Sequence, residues 1–281
     1  MNLTSENTQL LDQYRSVQLL QSSRGPVVAC STEYYESDGC RLALDVYLPD
    51  REAYPGLRPS ILFFFGGGFR VGWRKAFQMQ AEECAKQGYV AFSADYRVKA
   101  LYDTTPWDSM TDGACAWNYV RQNVSRWQVD PKGIFLSGGS AGGLIALMCG
   151  RLSGVQPAGL ILFNPAIADG DSPDDPLSAI VEPMGAPIPV IDAGHPDPDM
   201  GPALILHGEA DQTVPIENIR KFISSCAELG RDVTLKTYPN VGHGFFNFSR
   251  SLPHFHLTTG ELLLFLRKAW ESRSEAEKMA P

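Results

Sequence analysis

Two rhythms of apolar and polar positions alternate along this chain. The stretch RLALDVYLP at 41–49 switches between apolar and polar like a half-exposed strand. Six later runs are nearly unbroken apolar or β-branched: SILFFF (60–65), YVAFSA (89–94), GIFLS (133–137), GLILF (159–163), ALILH (203–207) and VTLKTY (233–238). Such runs predict strands buried on both faces. Helical spacing fills the gaps at about 75–87, 108–123, 141–152, 216–229 and 258–270, most of these segments closing on Gly or a turn cluster. This succession predicts an α/β fold, a mostly parallel sheet flanked by helices. The polar, amphipathic residues 1–32 are expected to form a helical extension, followed by a single domain over 33–281, with no internal repeat or low-complexity tract.

One segment breaks the rhythm. Residues 164–202 hold nine of the 20 prolines, and from Leu152 to Ile219 eleven acids occur without a single Lys or Arg. An irregular acidic connection of this length inside a domain is commonly functional, and part of it is expected to border a pocket.

Composition then removes several classes of function. A chain of 281 residues with 44% apolar content can bury a sizeable core. Its net charge of −8 argues against nucleic acid, which clustered Lys and Arg must meet, and favours neutral substrates. The six cysteines are widely spaced and are expected to be free thiols. No stretch approaches 18 unbroken apolar residues, and the start lacks the basic and apolar regions of a secretory signal. The expected setting is the cytoplasm, or outside the cell if a leader has been removed, with no membrane partner.

The sharpest chemical signal is IFLSGGSAGGLIALMCG, in which Gly138-Gly139-Ser140-Ala141-Gly142 fits G-x-S-x-G between an apolar strand and a helix of small residues. Such a turn forces its serine into a strained conformation at the strand's end, with small neighbours on both sides and a helix N-terminus beneath. Ser140 is the expected nucleophile. A serine hydroxyl needs a histidine base, and the base needs an acid to fix its tautomer. ALILHGEADQTVP places Asp211 past an apolar strand, and TYPNVGHGFF places His243 in a glycine-flanked turn after the next, in the order nucleophile, acid, base. Taken alone Asp211 reads as a helix-capping acid, and Glu209 is a rival. Of the other histidines, His195 lies in the acidic segment, His207 ends a strand, and His254 and His256 flank Phe255 beyond the last strand.

These motifs, with LDVYLP, FFFGGGFRVG, YVAFSADYRV and PNVGHGF, resemble the α/β-hydrolase carboxylesterases of the hormone-sensitive-lipase-like and bacterial acetyl- or feruloyl-esterase kind, from about Glu33 to Trp270. The resemblance implies an α/β-hydrolase fold, with the short Pro-rich insertion in place of a full lid domain. It implies an oxyanion hole from the N–H groups of Gly67, Gly68 and Ala141, where bare backbone can approach a developing negative charge. It also implies that Asp95, Arg97 and Asp112 are structural, with Asp112 starting a helix. The family's loop opens with a histidine that braces it, and here Phe65 stands in that place. Phe65 either anchors the loop by packing or ends the strand.

Nucleophile and acid are 71 positions apart, and the insertion between them is too short and proline-broken for a full lid, which implies a small or open acyl pocket. Phe69, Trp73 and Trp107 stack on a sugar or aryl alcohol, or else pack the protein. The acidic rim is expected to disfavour anionic substrates. The expected reaction is hydrolysis of short-chain esters without metal or cofactor, with acetylated saccharides as the leading substrate. Feruloyl or aryl esters and arylformamides are alternatives, and a catalytically silent binding module is the alternative from another class. A serine peptidase of this fold would need a larger accessory domain, and a P-loop fails because no GK[ST] follows the glycines.

Overall fold

The computed structural model describes residues 28–37, 40–172, 174–177 and 194–279. Eight strands form one sheet: β1 Val28–Ser37, β2 Cys40–Leu48, β3 Arg58–Phe64, β4 Val90–Ala94, β5 Val129–Gly139, β6 Leu160–Phe163, β7 Ala203–Gly208 and β8 Val233–Tyr238. Their order is β1-β2-β4-β3-β5-β6-β7-β8. The β1–β2 and β2–β4 pairings are antiparallel and every later pairing is parallel, so β3 to β8 all end on one edge. Residues 1–27 and 178–193 of the expected extension and insertion lie outside the described residues.

Five of the six unbroken runs, those in β3 to β7, are strands covered on both faces. In β3, Leu62 and Phe64 face one core cluster with Met110, Trp117 and Phe222, while Ile61 and Phe63 face another with Cys84, Leu262 and Leu266. Helices α1 (Gln78–Lys86) and α5 (Leu252–Met279) supply the second cluster, and α2 (Pro106–Gln122), α3 (Ala141–Ser153) and α4 (Ile216–Glu228) the first. None of the described helices is long and apolar enough to cross a membrane. All six cysteines are unpaired.

Three expectations need correction. Val28–Thr32 belong to β1 and not to a helical extension, because the β1–β2 ladder, from Val28 opposite Leu48 to Thr32 opposite Leu44, pairs their backbone. The run 233–238 is a strand but not a buried one: β8 has a single neighbour and buries only Tyr238. Asp112 does not start a helix. Thr105 caps α2 through a capping box with Asp108, with Pro106 in the first turn, and this fixes the start at Pro106, well before Asp112.

Asp112 has another task inside α2. At 1% exposure its carboxylate accepts from the Arg97 backbone N–H at 2.9 Å and from Nε and Nη2 at 2.8 Å each. Ser109 adds a hydroxyl bond to the Arg97 carbonyl at 2.7 Å, so the loop after β4 is tied to α2 at two points. Asp95 likewise holds Arg74, whose Nε reaches Asp45 at 2.8 Å. The hydrogen bonds and charge of Asp112 raise the pKa of Arg97 above its ordinary value. Removing one partner of such a pair leaves a buried group uncompensated, so Asp112→Ala should cost about 3 kcal/mol, measured as a lower urea midpoint with an unchanged slope.

Candidate active site

The site is assembled from loops at the carboxyl ends of β3, β5, β6, β7 and β8, the edge where parallel sheets place their ligands. Ser140 sits between β5 and α3 with φ 53° and ψ −121°. Its N–H donates to the Phe163 carbonyl at 2.9 Å, and its own carbonyl accepts from Gly143 (2.9 Å) and Ala166 (3.0 Å). Two strands and a helix therefore hold the strained residue, which puts its side chain clear of the backbone. The turn closes against β3 because Gly142 has no side chain: a Cβ there would lie 2.2 Å from the Phe64 carbonyl oxygen.

The three expected residues meet. His243 Nε2 lies 2.9 Å from Ser140 Oγ, and Nδ1 lies 2.8 Å from Asp211 Oδ2. Asp211 Oδ1 accepts from the N–H groups of Thr213 (2.9 Å) and Val214 (3.0 Å). Burial alone would raise the pKa of this carboxyl, but the bond and charge of His243 and those two N–H groups outweigh it, leaving the pKa below the ordinary value. The carboxylate therefore stays charged and directs its partner's proton to Nδ1, leaving Nε2 free to accept one from the serine. Glu209, the rival acid, is exposed.

Behind Asp211 stands His207, fully buried, with Nε2 2.9 Å from the Val214 carbonyl and 3.7 Å from Asp211 Oδ2. That carbonyl requires the proton on Nε2, and burial lowers the pKa and keeps the ring neutral. His254 also has its pKa lowered by burial and bonds Ser251 Oγ through Nδ1 at 2.7 Å. His195 is exposed.

The glycine loop borders the same space. Gly66, Gly67, Gly68, Ser140, Ala141 and His243 line a cavity of about 470 Å³. Gly67 adopts φ +130°, and a Cβ there would lie 1.9 Å from the Val71 carbonyl oxygen, so the loop tolerates no side chain at this point. Among the described residues the N–H groups of Gly67, Gly68 and Ala141 have no internal acceptor. Phe65 anchors the loop by packing: its ring stacks on Tyr96 at 3.9 Å and 11°, and the Tyr96 hydroxyl donates to its carbonyl at 2.7 Å. The strand itself ends one residue earlier, at Phe64.

Phe69 lines the cavity at 3% exposure. Trp73 and Trp107, expected beside it, are 60% and 46% exposed and lie outside its lining, Trp107 having been carried off in the first turn of α2. The acidic segment does border the cavity, through Asn164, Ala166 and Leu177, but not with its charges. Asp169 and Asp171 pair with Lys221 on α4, at 2.6 and 2.8 Å, and Asp175 accepts from Asn218 at 2.6 Å. The expected acidic rim is absent among the described residues.

Asn164 escaped the sequence reading. At φ 34°, it accepts from the Gly244 N–H at 3.0 Å through Oδ1, and its own N–H bonds the Leu206 carbonyl at 2.8 Å. It thus ties the end of β6 to β7 and to the residue after His243. The signal available was an Asn, tolerant of positive φ, between an apolar strand and Pro165.

This geometry meets its relatives in the comparisons. The BD-FAE family pattern matches residues 44–174 and that of the prolyl oligopeptidase family matches 192–260. Propionate-bound esterase Est2 from the planctomycete Thermogutta terrifontis superposes with a TM-score of 0.76 at 32% identity, covering 85% of this chain and 94% of that one. The chain belongs to the α/β-hydrolase carboxylesterases. Esterase LipC of Mycobacterium tuberculosis is 27% identical over 87% of this hydrolase and 66% of its own length. An acetylxylan esterase of Xylanibacter ruminicola is 26% identical over 74% of this chain and 45% of its own. This hydrolase thus spans about half to two thirds of those two relatives and nearly all of Est2.

Linkage fixes how Asp211 affects stability. A carboxyl whose folded pKa is depressed stabilises the fold above its unfolded value, near 3.9, and that contribution is lost as pH falls through the folded value. Asp211→Asn should therefore flatten the fall in urea midpoint below about pH 4 relative to wild type, checked by titrations from pH 3 to 6.

Proposed function

We propose that this chain is a serine esterase that hydrolyses short-chain carboxylic esters through an acyl-enzyme, with Ser140 as nucleophile, His243 as base and Asp211 as the acid that orients it. The observation that carries this reading is the unbroken Ser140–His243–Asp211 relay, 2.9 and 2.8 Å long, on the wall of a cavity. His243 Nε2 takes the Ser140 proton as Oγ attacks the ester carbonyl. The new imidazolium is held by the Asp211 carboxylate, which keeps its charge throughout. The N–H groups of Gly67, Gly68 and Ala141 receive the negative charge on the carbonyl oxygen, and they are free to do so because no acceptor among the described residues claims them. His243 then gives its proton to the departing alcohol, and water repeats the sequence to release the acid. The Phe65–Tyr96 stack takes over the bracing that a histidine gives the glycine loop in the hormone-sensitive-lipase-like branch.

A small acyl group suits the cavity, which Phe77, Phe246 and Leu177 narrow with buried side chains. Solved structures of the similar Est2 with propionate and with butyrate support this reading. The likeness to an acetylxylan esterase supports acetyl groups on saccharides as the natural substrate. On p-nitrophenyl esters kcat/KM should peak at acetate to butyrate and fall with longer chains, and Ser140→Ala should lose about 10⁴–10⁶ in kcat. Activity rising steadily with chain length would refute the small acyl site, and equal inactivity of wild type and variant on every ester would refute the hydrolase.

A further inference from the structure

The walls above Ser140 carry the charge opposite to the chain's own. In a protein of net charge −8, the charged side chains lining the cavity are Arg70 and Arg250, and no carboxylate lines it among the described residues. A second cavity of about 530 Å³ shares Thr213, His243 and Arg250 with the first and again has no carboxylate in its lining. Three arginines elsewhere are neutralised, Arg74 by Asp45 and Asp95, Arg97 by Asp112 and Arg220 by Glu217, whereas Arg58, Arg121, Arg126 and Arg231 bond neutral groups away from the cavity. Arg70 and Arg250 are exposed, and neither has an acidic partner among the described residues.

Arg250 is also fixed in place. It donates one Nη1 bond to the His243 carbonyl at 3.1 Å, and its guanidinium lies over Gly244, 3.5 Å from where a Cβ would stand. The rest of its donor fork has no acceptor among the described residues, and a planar guanidinium matches a carboxylate edge to edge. Arg70 lines the same cavity, next to Phe69 on the glycine loop, whose Gly67 carbonyl accepts its backbone N–H at 3.1 Å. Both guanidiniums are exposed, so their attraction for a charge held in the cavity is screened by added salt. Direction follows from the mechanism: the imidazole that protonates the departing alcohol must face it, so the alcohol lies on the His243 and Arg250 side of the serine.

We propose that this site selects esters whose alcohol portion carries a carboxylate, such as O-acetyl groups on an acidic saccharide, with Arg250 and Arg70 binding that carboxylate. The inference rests on the acyl-enzyme reading for the position of the alcohol, and on the lining alone for its charge.

Two acetates of closely similar shape test it: 4-acetoxybenzoate, which is anionic, and 4-acetoxybenzamide, which is neutral. The ratio of their kcat/KM values should fall about tenfold from wild type to the Arg70→Gln/Arg250→Gln double variant, mainly through KM, and added salt should narrow the wild-type ratio. An unchanged ratio would overturn the proposal, whatever happens to the absolute rates. Calorimetry on Ser140→Ala supplies a readout independent of turnover: the benzoate should bind about tenfold more tightly than the benzamide, and the preference should vanish when both arginines are replaced. Equal affinities for the two probes would overturn the anion site. A protein that prefers the anion but hydrolyses neither ester would keep the anion site and overturn the esterase.

Discussion

The left-handed backbone of Ser140 is the constraint on which the rest of this structure depends. A non-glycine residue at φ 53° costs about 1–3 kcal/mol and persists only where its surroundings over-determine it. Here β6 accepts its N–H, α3 and the segment after β6 donate to its carbonyl, and Gly142 lets α3 seat against the end of β3. That seating aligns the carboxyl ends of β3, β5 and β6 around one point. Asp211 and His243 reach the same point because β7 and β8 continue the parallel ladder in register, Gly139 beside Phe163, Phe163 beside Leu206, and His207 beside Thr237.

Around that point each side chain is held by a supporting layer of neighbours. Tyr96 stacks on Phe65 beneath the glycine loop, the Thr213 and Val214 N–H groups fix Asp211, and Asn164 holds the turn that carries His243. Charge is sorted in the same way. Asp169, Asp171 and Asp175 of the proline-rich segment are drawn off by Lys221 and Asn218 on α4, and the cations at the cavity have no acidic partner among the described residues. Net charge therefore describes the protein's surface as a whole and misdescribes the few square nanometres above the nucleophile.

Most of the fold was legible because parallel strands covered on both faces leave unbroken apolar runs, and five of the six such runs in the sequence are strands of that kind. What escaped was set by partners distant in the chain. β1 has a polar, edge-strand sequence and acquires its conformation from β2, while β8 reads like its buried neighbours but is half-buried, an edge strand paired among the described residues with β7 alone. The triad was readable from order and turn chemistry. The role of Phe65 was not, because Tyr96 lies 31 residues away, and neither was that of Asn164, which acts through the backbone of Gly244. The two tryptophans misled because proximity in sequence to the glycine loop and to α2 says nothing of the direction those segments take.

The central claim is that His243 and Asp211 make the hydroxyl of Ser140 the reactive nucleophile of this chain, and covalent trapping tests it most directly. Reaction with an organophosphate such as paraoxon, followed by peptide mass mapping, should place a stoichiometric diethylphosphoryl group on Ser140 and should slow by orders of magnitude in His243→Ala. Labelling at another residue, or labelling of Ser140 at an undiminished rate without His243, would contradict the account.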